Sequence, residues 1–260
     1  MLLHRHDAYE LIRVRSGALQ VLLNGKSHLV SADGMLLIRG GAFHALLPSE
    51  DCTYDCIIFD AALLLPDGSR CHTHIAPLSQ QTIALYAEIL KADTTTQRIC
   101  EQLFSLLFSE SNATAALEVQ GLLLQLLGHM LRSGAYDRCP PPSAHAKKAA
   151  DAIDSVLARI REQHTLPLSL TEMSDTASLS PNYFCRYFKK LAGCSPVDYL
   201  INYRILVSEA LLRETNRPIA DIATACGFND ASHYIKFFRR KKGTTPRQYR
   251  SVYRTPVKTK

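Results

Sequence analysis

No stretch of this 260-residue sequence approaches twenty uninterrupted apolar residues, so no membrane-spanning helix is expected. The opening MLLHRHDAYE carries charge too early for a secretory leader. The eight cysteines show no tight disulfide spacing, and a chain this long does not need such a framework. Reduced thiols and a cytoplasmic location are the expectation. Positive charge is scarce in the first part of the chain. Residues 1–146 hold ten Lys/Arg against fourteen Asp/Glu, a net of −4, whereas residues 147–260 hold twenty against ten, a net of +10. A basic half joined to a mildly acidic half points to a polyanion-binding module attached to something else.

What the basic half does contain is a sequence written twice. Residues 173–199 read MSDTASLSPNYFCRYFKKLAGCSPVDY, and residues 222–249 read IATACGFNDASHYIKFFRRKKGTTPRQY. Met173 pairs with Ile222, Phe188 with Phe238, Gly193 with Gly243, Pro196 with Pro246 and Tyr199 with Tyr249. Two copies are too few for a solenoid, so they read as paired modules of one domain. In the first copy Ser169 and Glu172 have capping-box spacing, Pro181 suits a helix start, and Gly193 suits a helix end. Phe184, Phe188 and Leu191 fall on one face of that helix; Asn182, Arg186 and Lys189 fall on the other, with Cys185 beside Arg186. In the second copy a helix over 219–226, a Gly227-Phe228-Asn229 turn and a helix over 230–242 capped by Asp230 repeat the plan. Tyr234 and Phe238 face inward there, leaving Ser232, His233, Lys236, Arg239 and Arg240 outward. Two short helices, a tight turn and a basic outer face describe a helix-turn-helix. A connecting helix from Pro196 to Arg213 spans about 27 Å, close to the ~34 Å between successive major-groove faces on one side of DNA.

The acidic half begins with closely spaced apolar runs at Tyr9–Val14, Leu19–Leu23, His28–Val30, Met35–Ile38 and Tyr54–Phe59. Asn24-Gly25, Asp33-Gly34, Gly40-Gly41 and Pro48-Ser49 separate them, which predicts a small antiparallel barrel or sandwich. Helical spacing follows over 78–92 and 96–131, with leucines on more than one face. Packing on the barrel and a dimer interface both account for that surplus. Arg138–Ala144, with Pro140-Pro141-Pro142, reads as the linker, and Ile153, Val156, Leu157 and Ile160 mark the helix after it.

The repeat resembles the DNA-binding domain of the AraC/XylS family of bacterial transcription regulators. The likeness is carried by Ala223 through Gly227-Phe228, Ser232-His233-Tyr234, Phe237-Phe238-Arg239-Arg240 and Gly243-Thr244-Thr245-Pro246 through Tyr249-Arg250. It implies double-stranded DNA as partner, a homodimer, and contact with RNA polymerase if the protein activates transcription. It also implies that Asn182, Cys185, Arg186, Ser232, His233 and Lys236 face bases. Arg186 stands where the family commonly places arginine, suited to guanine O6/N7. Lys189, Lys190, Arg239 and Arg240 belong near phosphates by the same resemblance. Cys185 departs from the pattern as a weakly hydrogen-bonding reader. The first copy is thus expected to carry more of the sequence choice and the second more of the phosphate affinity.

His4, His6, Glu10 and Gly17 resemble the first cupin motif, and Gly34 through His44 the second, with Arg39 where proline is usual. In metal-binding cupins the matching His4, His6, Glu10 and His44 converge on a divalent metal, and such a set suits Zn, Fe, Mn or Ni. In AraC-type cupins the barrel often senses a small molecule without metal, and the same residues bind ligand or simply remain. Cys52, Cys56, Cys71, His72 and His74 form a weaker metal candidate.

The expected fold is a multidomain α and β chain: a small cupin-like β-barrel followed by helices, then an all-α domain with two helix-turn-helix motifs. Its expected parts are a sensor barrel over 1–75, a helical connector or dimerisation region over 76–137, a linker over 138–146 and the DNA-binding domain over 147–254. The leading function is a non-enzymatic transcription regulator controlled by a small, sugar-like effector. The rival is a metal-dependent cupin enzyme fused to a nucleic-acid-binding domain. That rival leaves the matched basic helices unexplained.

Overall fold

The computed structural model describes residues 1–49, 51–65, 68–85, 94–108, 114–139 and 143–253. The chain divides into two compact units, Met1–Ala146 and Lys147–Lys260. The three prolines of the expected linker lie outside the described residues, while Arg138 ends a strand and Ala144 opens a helix.

The first unit holds six consecutive strands: β1 (Tyr9–Ser16), β2 (Ala18–Leu23), β3 (Lys26–Ser31), β4 (Met35–Ile38), β5 (His44–Pro48) and β6 (Thr53–Phe59). They form two three-stranded antiparallel sheets, ordered β4-β1-β6 and β3-β2-β5. Asn24 and Gly25 both have positive φ, 47° and 82°, as the two-residue β2–β3 hairpin requires. β5 was not expected. Its five residues show no clean alternation, and their strand state comes from pairing with β2.

β1 is buried on both faces, which explains its nearly continuous apolar run. Ile12 and Val14 point between the sheets, where they join Leu19, Val21, Val30, Leu36, Ile38 and Leu46. Glu10 shares that side by the period-two rule of a strand. Tyr9 and Leu11 point the other way, toward α1 (His72–Ser79), α2 (Thr94–Phe108) and α3 (Ala115–Arg132). Ile99, Leu103, Phe104, Leu123, Leu126, Leu127 and Met130 pack there with Leu37, Ile57 and Phe59. Each fully buried side chain of this kind is worth roughly 1.5–3 kcal/mol. The strands and the helices after them therefore share one core. Leu107, Phe108 and Leu117 remain exposed on α2 and α3.

The helix expected over 78–92 is not formed as such. α1 ends at Ser79, and Gln81 adopts a positive φ of 57°. Ile83–Leu85 is instead a strand, β7, paired with β8 (Tyr136–Arg138), and residues 86–93 lie outside the described set. A short apolar run has no fixed period of its own, so a remote pairing partner decided its state.

The second unit is helical: α4 (Ala144–Gln163), α5 (Leu170–Thr176), α6 (Pro181–Ala192), α7 (Pro196–Glu214), α8 (Ile219–Ala225), α9 (Ala231–Lys242) and α10 (Pro246–Tyr253). The capping signals act where the sequence placed them. Ser169 and Glu172 form the reciprocal capping box of α5. Asp230 accepts from the His233 amide at 2.7 Å. Gly193 and Gly243 close α6 and α9 with φ of 70° and 73°. The two turns differ. Ser178 of the first copy has φ 51° and is exposed, whereas the equivalent Gly227 has φ 84° with chain packed against it. A Cβ on Gly227 would lie 2.5 Å from the His164 carbonyl oxygen and 2.8 Å from Thr165 Cα. Gly227→Ala should therefore cost about 1–3 kcal/mol in backbone strain alone, with the clash added, read as a lower urea midpoint for the helical unit. Ser178→Gly at the matching turn should leave that midpoint within about 1 kcal/mol of wild type.

Candidate nucleic-acid interface and ligand site

Both outer helices are oriented by the same aromatic packing. In the first copy Phe184 and Phe188 are fully buried, and the Phe188 and Tyr199 rings meet edge to face at 5.4 Å and 77°. In the second, Tyr234 and Phe238 are fully buried, and Phe238 and Tyr249 meet at 5.4 Å and 76°. With one face of each helix pinned inward, the residues about half a turn away are forced outward.

On α6 that exposed face carries Asn182, Arg186, Lys189 and Lys190; Cys185 beside them is half-buried. On α9 a shallow groove is lined by Ser232, Ile235, Lys236, Arg239, Arg240, Gly243 and Thr245. Two of the outward side chains also make contacts within the protein. His233 is exposed, but its ring packs edge-on against Phe237 at 4.6 Å, away from the groove lining. Arg240 lays its guanidinium over Phe237 at 4.6 Å and lies 4.0 Å from Asp198 of α7. Sequence reasoning missed Ile235. The repeat offset that pairs Phe188 with Phe238 also pairs Cys185 with Ile235, so the signal was present.

Glu209 of α7 anchors the C-terminal end of α9. It accepts from Lys242 Nζ at 2.7 Å and from the Tyr249 hydroxyl at 3.0 Å. Burial, with the Glu209 carboxylate, pushes the Tyr249 hydroxyl up to about 12, so it remains a donor at neutral pH.

A different chemistry gathers in the first unit. His4, His6, Glu10 and His44 each offer a ligand atom within 4.8 Å of the others. β1 brings Glu10 and β5 brings His44, both fully buried; His4 is held by a reciprocal backbone bridge to His44, with two 2.9 Å hydrogen bonds. Each imidazole Nδ1 faces a backbone carbonyl: His4 to Leu2 at 3.0 Å, His6 to Ala8 at 2.9 Å and His44 to Ala42 at 2.9 Å. A carbonyl oxygen only accepts, so Nδ1 carries the proton in each ring. Nε2 of His44 then lies 2.9 Å from Glu10 Oε2, and Nε2 of His6 lies 3.4 Å from the same oxygen. The other Glu10 oxygen accepts from the Cys56 thiol at 3.0 Å. Burial pushes the Glu10 carboxyl up, but the close contact with His44, the Cys56 thiol hydrogen bond and the electrostatic influence of the neighbouring imidazoles outweigh it and hold the group at about 2. Burial, then His44, lowers His4 below the usual histidine value. Among the described residues, Cys52, Cys56, Cys71, His72 and His74 form no comparable group.

Residues 3–127 match the family model of the AraC-like ligand binding domain, and residues 173–251 match a helix-turn-helix domain model. The chain belongs to the AraC/XylS family of transcription regulators. It is an AraC-type regulator with an N-terminal ligand-binding domain and a helix-turn-helix DNA-binding domain. Its relatives include the HTH-type transcriptional activator RhaS of Enterobacter sp. (strain 638), 24% identical over 95% of this chain and 86% of that protein. RhaR of Yersinia pestis bv. Antiqua (strain Angola) is 25% identical over 98% of this chain and 86% of that protein. The fold of this AraC-type chain is shared with ToxT from Vibrio cholerae, with a TM-score of 0.50 at 12% identity, covering 96% and 91% of the two chains. Among the described residues no helix of the regulator is long and apolar enough to cross a membrane.

Because Glu209 serves two donors from a nearly buried position, Glu209→Ala should destabilise the helical unit by about 1–2 kcal/mol. Urea unfolding of the full chain checks this.

Proposed function

We propose that this AraC-type regulator reads two neighbouring segments of duplex DNA with α6 and α9, under control of a polar effector seated at the histidine–carboxylate cluster. The observation that carries the DNA reading is the matched inward packing of the two outer helices, which presents Asn182, Arg186 and Lys189 on one and Ser232, Lys236 and Arg239 on the other. Asn182, Cys185, Arg186, Ser232, Ile235 and Lys236 face bases in this reading, with His233 at their edge. Arg186 reads guanine, and Ile235 offers an apolar contact of the kind that suits a thymine methyl. Lys189, Lys190 and Arg239 bind phosphates, and Arg240 adds positive charge while steering α9 against Asp198.

The cluster suits a divalent cation, held by His4, His6, Glu10 and His44. With Nδ1 protonated, Nε2 of His44 and Glu10 Oε2 are two acceptors 2.9 Å apart. Such a pair needs a proton or a metal ion between its members. A divalent cation could take the place of that proton if the four groups drew in around it, and the backbone carbonyls already fix the tautomers that ligation needs. A bound cation would give a polar effector, sugar-like in its hydroxyls, a charged point of attachment. The effector controls DNA binding only insofar as it prefers one arrangement of the protein over another. A cupin enzyme would use such a cluster too, but the relatives are transcription regulators, which supports a sensing role without catalysis. Cytoplasmic action fits the same relatives. Exposed Leu107, Phe108 and Leu117 supply apolar surface for a homodimer. The relatives named as activators support activation through RNA polymerase.

Selection of bound duplexes from a random pool, with and without candidate effectors, tests the whole reading. On a selected duplex Arg186→Ala should lose about 1–3 kcal/mol and relax preference at one base pair. Lys189→Ala should weaken binding to every sequence and lower the salt slope by about one. Unchanged selectivity in the first, or a sequence-dependent loss in the second, contradicts the assignment. Elemental analysis of purified protein should find about one transition metal per chain that a His6→Ala/His44→Ala double variant loses. Wild-type protein that remains metal-free after incubation with Zn, Mn, Ni and Fe(II) would leave the cluster as a proton-bridged structural group.

A further inference from the structure

We propose that Arg204 is a positioning residue that locks the two reading helices at one separation and rotation, and so sets the spacing of DNA elements the regulator accepts. The inference rests on the reading of α6 and α9 as paired DNA readers. Arg204 sits in the middle of α7, between the two copies. Its Nε donates to the His164 carbonyl at 2.7 Å, and its Nη2 donates to the Leu166 carbonyl at 2.8 Å. Those carbonyls belong to the segment between α4 and α5, which is part of the first copy's framework: Arg159 of α4 reaches the Glu172 carbonyl and the Thr176 hydroxyl of α5. The same segment packs on the second copy's turn, where His164 O and Thr165 Cα leave no room for a Cβ on Gly227. The Arg204 guanidinium also lies 5.9 Å from the ring of Phe228, the next residue of that turn.

One fork-shaped side chain thus joins three bodies: the first copy's framework, the connecting helix, and the turn that launches the second reading helix. No such clasp is needed by fold logic alone. The first copy's turn, at Ser178, is exposed and works without a segment packed over it. What the clasp adds is a fixed angle between copies. DNA makes that angle matter, since inserting one base pair moves an element about 3.4 Å along the axis and about 34° around it. A stiff pair of readers separates two such duplexes; a loosened pair does not.

The test uses the full chain, a duplex selected by the wild type from a random pool, and the same duplex with one base pair added or removed between the two contacted elements. Wild type should bind the altered spacings at least about tenfold more weakly. Arg204→Met keeps the apolar stem and removes both donors. It should bind all three spacings within about threefold of one another, while its affinity for a duplex carrying one element stays within about twofold of wild type. Arg204→Lys keeps the charge but cannot serve two carbonyls in a fork, so it should fall between them. It also carries the test if Arg204→Met does not unfold cooperatively. Retained tenfold discrimination in either folded variant overturns the proposal. So does an equal loss on all duplexes, including the single element, which would mark Arg204 as merely structural. A wild type that ignores spacing would instead overturn the paired-reader reading underneath, and the two failures are thereby separable.

Discussion

A single helix, α7, carries the cores of both repeated units. Isolated helices of seven to twelve residues, like α5, α6, α8 and α9, are marginal in water. Each persists because it packs on α7. Tyr199 near the start of α7 meets Phe188 of the first copy. Ile205 and Leu212 further along meet Ile222, Phe228, Tyr234 and Phe238 of the second. The buried faces are therefore spoken for, and the basic faces of α6 and α9 are what remains for a partner. Glu209 and Arg204 add polar ties at two further points of the same helix.

The two copies share a plan and differ where chain crosses from one to the other. Gly227 accommodates the 164–165 segment, whereas Ser178 meets solvent. Cys185 and Ile235 occupy matching positions, as do Arg186 and Lys236. The first copy thus offers an arginine fork where the second offers a lysine, and the second has the more basic helix end. Arg240 qualifies that division, since its contact with Phe237 and its approach to Asp198 turn part of that charge toward α7.

In the first unit the governing constraint is β1, buried on both faces. Period-two alternation sends Leu11 to the helices and Ile12 to the sheet–sheet interior. The same alternation carries Glu10 inward, where a lone carboxylate would be costly. His44, His6 and Cys56 surround it with polar partners. One strand supplies both core residues and Glu10, so the histidine–carboxylate cluster is tied to the packing of the whole unit.

Much of this was legible in the amino-acid sequence. The internal repeat, the caps at Ser169, Asp230, Gly193 and Gly243, and the inward Phe184, Phe188, Tyr234 and Phe238 all follow from local propensity and helical period, which act over a few residues. The four cluster residues were also legible, from motif spacing. Tertiary structure alone decided the rest. β5 and β7 are strands because distant segments pair with them, not because of their own pattern. Gly227 is required because His164, far away in sequence, lies against it. The backbone bridge and side-chain contact that bring His44 beside His4 and Glu10, and the fork of Arg204 across two copies, depend on backbone positions that no local window contains. Short-range rules determine which elements form and which faces are apolar; long-range packing determines what those faces meet.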